Sequence, residues 1–254
     1  MTATSPTAQT TPIIYPSADG EPVAETYDHL YAILTTLEVL KQYLAGRQAT
    51  VLANQFLYYA QGFPKVRTAP DVMVIFDVAP GGRDNYKTWE EGQVPVVIFE
   101  MTSPGTKDQD KTFKKTLYEQ LGVQEYWLFD PKGEWIPEKL QGYRLRGDTY
   151  TPITDSRSEP LQLRLAVEEK VIGFYREDTG EKLLIPDELV ATLKQETQAR
   201  LLAESQAEQE RQRAEQERQR AEQERQQREL AQQQLAEMEA ILDRYRERFG
   251  ELPE

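Results

Sequence analysis

From Glu188 onward the chain has no glycine until Gly250 and no proline until Pro253. Gln, Glu, Arg and Ala dominate that stretch, nearly all of them strong helix formers, so it can hardly become anything but a long helix. Within it "AEQERQR" occurs at 207–213 and 214–220, and "AEQERQQ" follows at 221–227. The seven-residue period puts Ala207, Ala214 and Ala221 at one equivalent position, and Glu–Arg pairs three and four apart add support. Apolar residues return at Leu230, Leu235, Met238, Leu242, Tyr245 and Phe249. One alanine per heptad is a thin seam for a coiled coil. Two readings stay open: a solvated helix that pairs weakly, or a coiled coil that joins copies of the chain into a homo-oligomer.

Ahead of the tail, turn signals separate apolar runs. The segment "DHLYAILTTLEVLKQYLAG" repeats Leu30, Ile33, Leu34, Leu37, Leu40 and Leu44 at helical spacing, with Gly46 as a stop. His29, the only histidine, falls in its first turn and is expected to be partly exposed. "ATVLANQFLYYA", "DVMVIFDV", "VPVVIFEM" and "EYWLFD" read as strands, and "QDKTFKKTLYEQLG" as a helix stopped at Gly122. "QGYRLRGDTYTPI" and "EKVIGFYREDTGEKLLI" each place a glycine turn between strand-like halves. The order predicts an α/β fold: a mixed sheet flanked by helices, with a long C-terminal helix. The expected organisation is a disordered segment 1–18, a globular domain 19–187 and a helical tail 188–254.

Composition removes whole classes of chemistry. There is no cysteine, so disulfides, zinc–thiolate centres and cysteine nucleophiles are excluded. A single histidine leaves little for a Ser-His-Asp triad or a multi-His metal site. The Thr-, Ser- and Pro-rich start does not resemble an export signal, and no apolar run reaches the roughly 18 residues of a membrane span. A cytoplasmic protein with no membrane association is expected. Lys and Arg number 30 against 43 Asp and Glu, a net charge of −13. Such a chain is a poor general binder of phosphate backbones, so a nucleic-acid role would need a local basic patch or a metal.

The run "VPVVIFE" carries a carboxylate, Glu100, to the end of an apolar strand. A buried charge without a partner costs several kcal/mol, roughly, so something must hold it. Asp71 starts the preceding strand, just after Pro70. If the two strands pair antiparallel, the two acids meet at one sheet edge and repel unless a divalent cation or a proton lies between them. Carboxylate oxygens suit Mg²⁺ or Mn²⁺. On the next helix, 100° per residue places Phe113, Leu117 and Leu121 on the sheet-facing stripe. Lys114 lies at the edge of that stripe, with Asp110 one turn before it and Tyr118 one turn after. From there the lysine could reach both acids.

The segment "APDVMVIF … VVIFEMTSPGTKDQDKTFKKTLYEQLGVQEYWLFDP" resembles the Uma2 (DUF820) family of the PD-(D/E)XK restriction-endonuclease-like group. The matching residues are Pro70-Asp71, Glu100, Ser103-Pro104, Thr106, Asp110, Lys114, Tyr118, Gly122-Val123, Tyr126-Trp127 and Asp130-Pro131. "DGEPV" at 19–23 is similar to an early element of that family. The resemblance covers roughly residues 19–190. It implies a restriction-endonuclease-like core that hydrolyses DNA phosphodiesters with Mg²⁺ (or Mn²⁺) on Asp71 and Glu100, and Glu21 as a further ligand or a support for one. Two residues after Glu100 the parent pattern has lysine where this chain has Thr102, and the resemblance gives that lysine's part to Lys114. The alternative is a catalytically inactive nuclease-fold scaffold that oligomerises or binds a partner through its helical tail.

Overall fold

The computed structural model describes residues 13–20, 25–102 and 109–250, without the side chains of 109–111 and 249. Glu21, the first twelve residues, Ser103, Pro104, Thr106 and the Asp110 side chain therefore lie outside the described residues. The chain divides into two units between Leu189 and Val190.

In chain order the first unit runs α1 (Tyr27–Tyr43), β1 (Ala49–Ala53), β2 (Leu57–Tyr58), β3 (Arg67–Thr68), β4 (Val72–Phe76), β5 (Tyr86–Lys87), α2 (Thr88–Glu91) and β6 (Val97–Met101). A π-helical turn, Gln109–Lys114, leads into α3 (Lys115–Leu121). There follow β7 (Glu125–Phe129), β8 (Leu140–Arg146), β9 (Thr149–Ile153), β10 (Arg157–Ser158), β11 (Leu163–Glu168), β12 (Val171–Arg176) and β13 (Lys182–Leu183). The last helix, α4, spans Pro186–Phe249.

The expected mixed sheet is present, with strand order β1-β4-β6-β7-β8-β9. Within that sheet only β6 and β7 pair in parallel, because the turn-and-helix connection between them returns the chain to the same end. β8 and β9 form the hairpin expected around Gly147. The second expected hairpin, β12–β13, belongs to a separate four-stranded sheet with β10 and β11. A small sheet of order β3-β2-β5 completes the unit.

Alternation along the strands splits the core in two. Val72, Val74, Val97, Phe99, Trp127 and Phe129 share one cluster with α1 and with Leu163, Leu165, Ile172 and Phe174 of the second sheet. Met73, Ile75, Ile98, Tyr126 and Leu128 join Tyr118, Val123, Tyr86 and Tyr150 in the other. The buried stripe of α1 is His29, Ala32, Ile33, Thr36, Val39 and Leu40, whereas Leu30 and Leu34 are exposed. The leucine spacing fits either of two adjacent faces of the helix, and packing selects the one that starts at His29. That phase corrects the expectation for His29, which is buried.

In α4, every side chain from Leu193 through Arg248 is exposed. The helix relies on propensity and on pairs such as Arg200–Glu204 and Arg225–Glu229. Among the described residues no helix is long and apolar enough to cross a membrane.

Candidate active site

The register of β4 on β6 brings the two acids together. Val72 stands opposite Phe99 and Met73 opposite Ile98, so one step further Asp71 comes beside Glu100. Glu100 alternates with Phe99 and Met101, and so lies on the sheet face that carries Ile98 and Tyr118. Asp71 accepts the Met101 backbone N–H at 2.6 Å through Oδ2, which ties the first acid to the residue following the second.

Glu100 is only 1% exposed. Its Oε2 accepts from Lys114 Nζ at 2.9 Å, and its Oε1 accepts from Tyr118 Oη at 2.7 Å. A buried carboxylate is tolerable when a cation and a hydroxyl share its charge, and these two residues do so. The helix therefore does deliver Lys114 to the strand end.

It does so by a different geometry from uniform α-helical spacing. Phe113, expected on the sheet-facing stripe, is 63% exposed, while Leu117 and Leu121 do pack against the sheet. The cause is the π-helical turn over Gln109–Lys114. Closure from residue i to i+5 takes more residues per turn than α-helix, so a phase carried back from Leu117 fails there. Phe113 swings to solvent while Lys114 faces Glu100. Gly122, in the left-handed region at φ 79°, then ends α3, and the Val123 N–H bonds the Tyr118 carbonyl.

Tyr118 is the site residue that spacing arguments passed over as a mere neighbour of Lys114. The signal was available, because a residue four after a lysine that reaches the sheet reaches it too. Burial, followed by the Glu100 charge, pushes the phenol well above its usual range, and Asp71 adds to the effect. Thr68, 3.4 Å away, opposes it. The phenol stays protonated and donates. On the other side, His29 Nε2 lies 3.9 Å from Asp71 Oδ2 and 3.7 Å from Glu25 Oε2.

Two other buried carboxylates behave differently. Asp130 accepts the backbone N–H groups of Lys132, Gly133, Trp135 and Ile136, and so holds a turn. Glu125 is held by Arg144, Trp127 Nε1 and the Glu159 N–H. Glu100 differs in having Asp71 as its neighbour and an amine, 15% exposed, as its cation. Thr102 is buried, and its hydroxyl has no hydrogen-bond partner among the described residues.

The donors fit a hard divalent ion in kind: carboxylate oxygens at one strand end, with an unengaged hydroxyl two residues on. In number they are few. Among the described residues no group of three or more acidic or histidine side chains is poised for a metal. Mg²⁺ commonly takes one or two carboxylates and completes its shell with water and phosphate oxygens.

A family model for Uma2, described as "Putative restriction endonuclease", matches residues 8–172. Among solved structures, a similar chain is described as "a putative nuclease belonging to DUF820 from Anabaena variabilis ATCC 29413". The two are 17% identical with a TM-score of 0.38, over 56% of this chain and 77% of that one. No curated protein matches.

Proposed function

Because this chain belongs to the Uma2 family, we propose that its first unit is a DNA endonuclease whose Asp71 and Glu100 hold Mg²⁺ (or Mn²⁺). Domain 19–187 would carry the activity in the cytoplasm, with 188–254 as an accessory tail. Glu21 is the proposed further oxygen donor. The bound ion would supply Lewis acidity and a more acidic water for hydrolysis of a phosphodiester. The protein's own part is positional. Tyr118 and the Met101 N–H fix the two carboxylates, and the Lys114 amine, bonded to Glu100, would be the cation that stabilises negative charge on a phosphoryl oxygen.

One observation carries the reading. A carboxylate almost wholly removed from water faces a second acid and a lysine at the end of a core strand. In the test, the full chain is incubated with supercoiled plasmid and Mg²⁺. It should nick the plasmid, EDTA should stop the nicking, and the double variant Asp71→Ala, Glu100→Ala should be inert. Equal nicking by the variant would refute the assignment.

A second reading is an inactive scaffold. It is favoured by the same bond, since Lys114 already neutralises Glu100 without a metal. Under it the exposed seam of α4, where Leu235 and Leu242 continue the register of Ala207, Ala214 and Ala221, would pair with another copy.

A further inference from the structure

Among the described residues of the first unit, three aromatic side chains are exposed: Tyr27 (76%), Phe63 (63%) and Phe113 (63%). All three lie on segments that deliver the candidate site. Tyr27 is two residues before His29 and stacks on Tyr31 at 5.6 Å. Phe63 is in the turn of the β2–β3 hairpin, whose base is closed on the site: the Asn54 N–H bonds the carbonyls of Pro70 and Asp71, and Thr68 reaches Tyr118. Phe113 immediately precedes Lys114 and faces water only because of the π-helical turn.

Single exposed rings are ordinary on a protein surface. Their company is the informative part. Phe63 is followed by Pro64 and the exposed Lys65, and Phe113 by Lys114 and Lys115. Arg67, in the same hairpin, is held over the Phe56 ring at 3.9 Å, and Lys115 over Tyr143 at 3.9 Å. Exposed rings with cations beside them, on the segments that lead into a carboxylate site, provide what unpaired nucleotides need: π faces for bases and positive charge for the intervening phosphates.

Net charge points the same way. Duplex DNA carries one negative charge per roughly 1.7 Å of axis, and a protein that tracks it gains affinity by neutralising many phosphates. A chain at −13 has little capacity for that. Stacking does not depend on phosphate density and is open only to bases that are not already paired.

We infer that the site takes single-stranded DNA, or the unpaired strand at a junction, with Phe63 and Phe113 stacking on bases on either side of the carboxylates. This rests on the nuclease reading above and names its substrate. The test is fluorescence anisotropy on the full chain in EDTA, with a labelled oligo(dT) of about 15 nucleotides against a duplex of equal length. The oligo(dT) should bind at least tenfold tighter, roughly the effect of one stacked base. Phe63→Ala and Phe113→Ala should each weaken it about tenfold, Phe→Trp at either position should keep it, and Phe→Leu should not.

Far-UV circular dichroism checks the fold of each variant, and Phe63, on a surface turn, is the position whose change leaves the core untouched. Absence of oligo(dT) binding, equal or tighter duplex binding, or Leu performing as well as Phe would each overturn the inference. Because cleavage is not read, the two ideas fail separately. Oligo(dT) binding by a chain that never nicks DNA removes only the hydrolase reading, and a chain that nicks plasmid but binds duplex as tightly as oligo(dT) removes only this one.

Discussion

Lys114 and Glu100 are fourteen residues apart in sequence, yet the amine and Oε2 stand 2.9 Å apart, one on a π-helical turn and the other at the end of a core strand. Removing the lysine takes this cation from a carboxylate in a place with little water. Lys114→Met should cost stability by about 3–5 kcal/mol, the usual penalty for breaking a buried pair. Urea denaturation measures it. The double variant Lys114→Met, Glu100→Gln should recover much of the loss, and strict additivity of the two changes would show that the bond contributes nothing.

Tyr118 tests the same carboxylate from its other oxygen. Tyr118→Phe keeps the ring that packs edge-on against Tyr126 at 5.2 Å and deletes only the donor. Loss of about 1–3 kcal/mol is expected, and Mg²⁺-dependent nicking should fall more than stability explains. A variant as stable and active as the parent would separate Tyr118 from the site.

Alkaline pH should destabilise the fold in a defined window. Burial, then the Glu91 charge, pushes Tyr86 up to about 12, and Tyr118 is also raised. A phenol whose folded value exceeds its unfolded one contributes stability that is complete below the unfolded value near 10. That stability is lost as pH rises through the folded value. Unfolding free energy should therefore fall between about pH 10 and 12, with tyrosinate absorbance at 295 nm rising as unfolding occurs. Tyr86→Phe should flatten this slope.

Gly142 lies opposite Trp127 on the neighbouring strand, and a Cβ there would come within 2.5 Å of the indole. Gly142→Ala should cost about 1–3 kcal/mol through forced repacking. Thermal unfolding and the tryptophan emission maximum would both register it.

The tail should be separable. A chain ended after Leu189 keeps both core clusters, so its melting temperature and its nicking should match the full chain. Light scattering on the two forms decides the tail's role, because pairing through α4 predicts a multimer that becomes a monomer on truncation.

Much of this molecule could be read along the chain. A stretch of more than sixty residues without glycine or proline leaves helix as the outcome, and α4 follows. Hydrophobic runs marked β4, β6 and β7, and because side chains alternate along a strand, antiparallel pairing was enough to put Asp71 beside Glu100. Lys114 was recognisable as an amine within reach of that strand end, and it bonds Glu100. Tertiary structure decided the phases. Helical leucines suit two faces equally, and contact with the sheet chose the one that buries His29 and exposes Leu30. A π-helical turn is not encoded in residue spacing, since it depends on what the helix must reach. Here it turns Phe113 outward and, together with Tyr118, closes Lys114 on a carboxylate that would otherwise be too costly to bury.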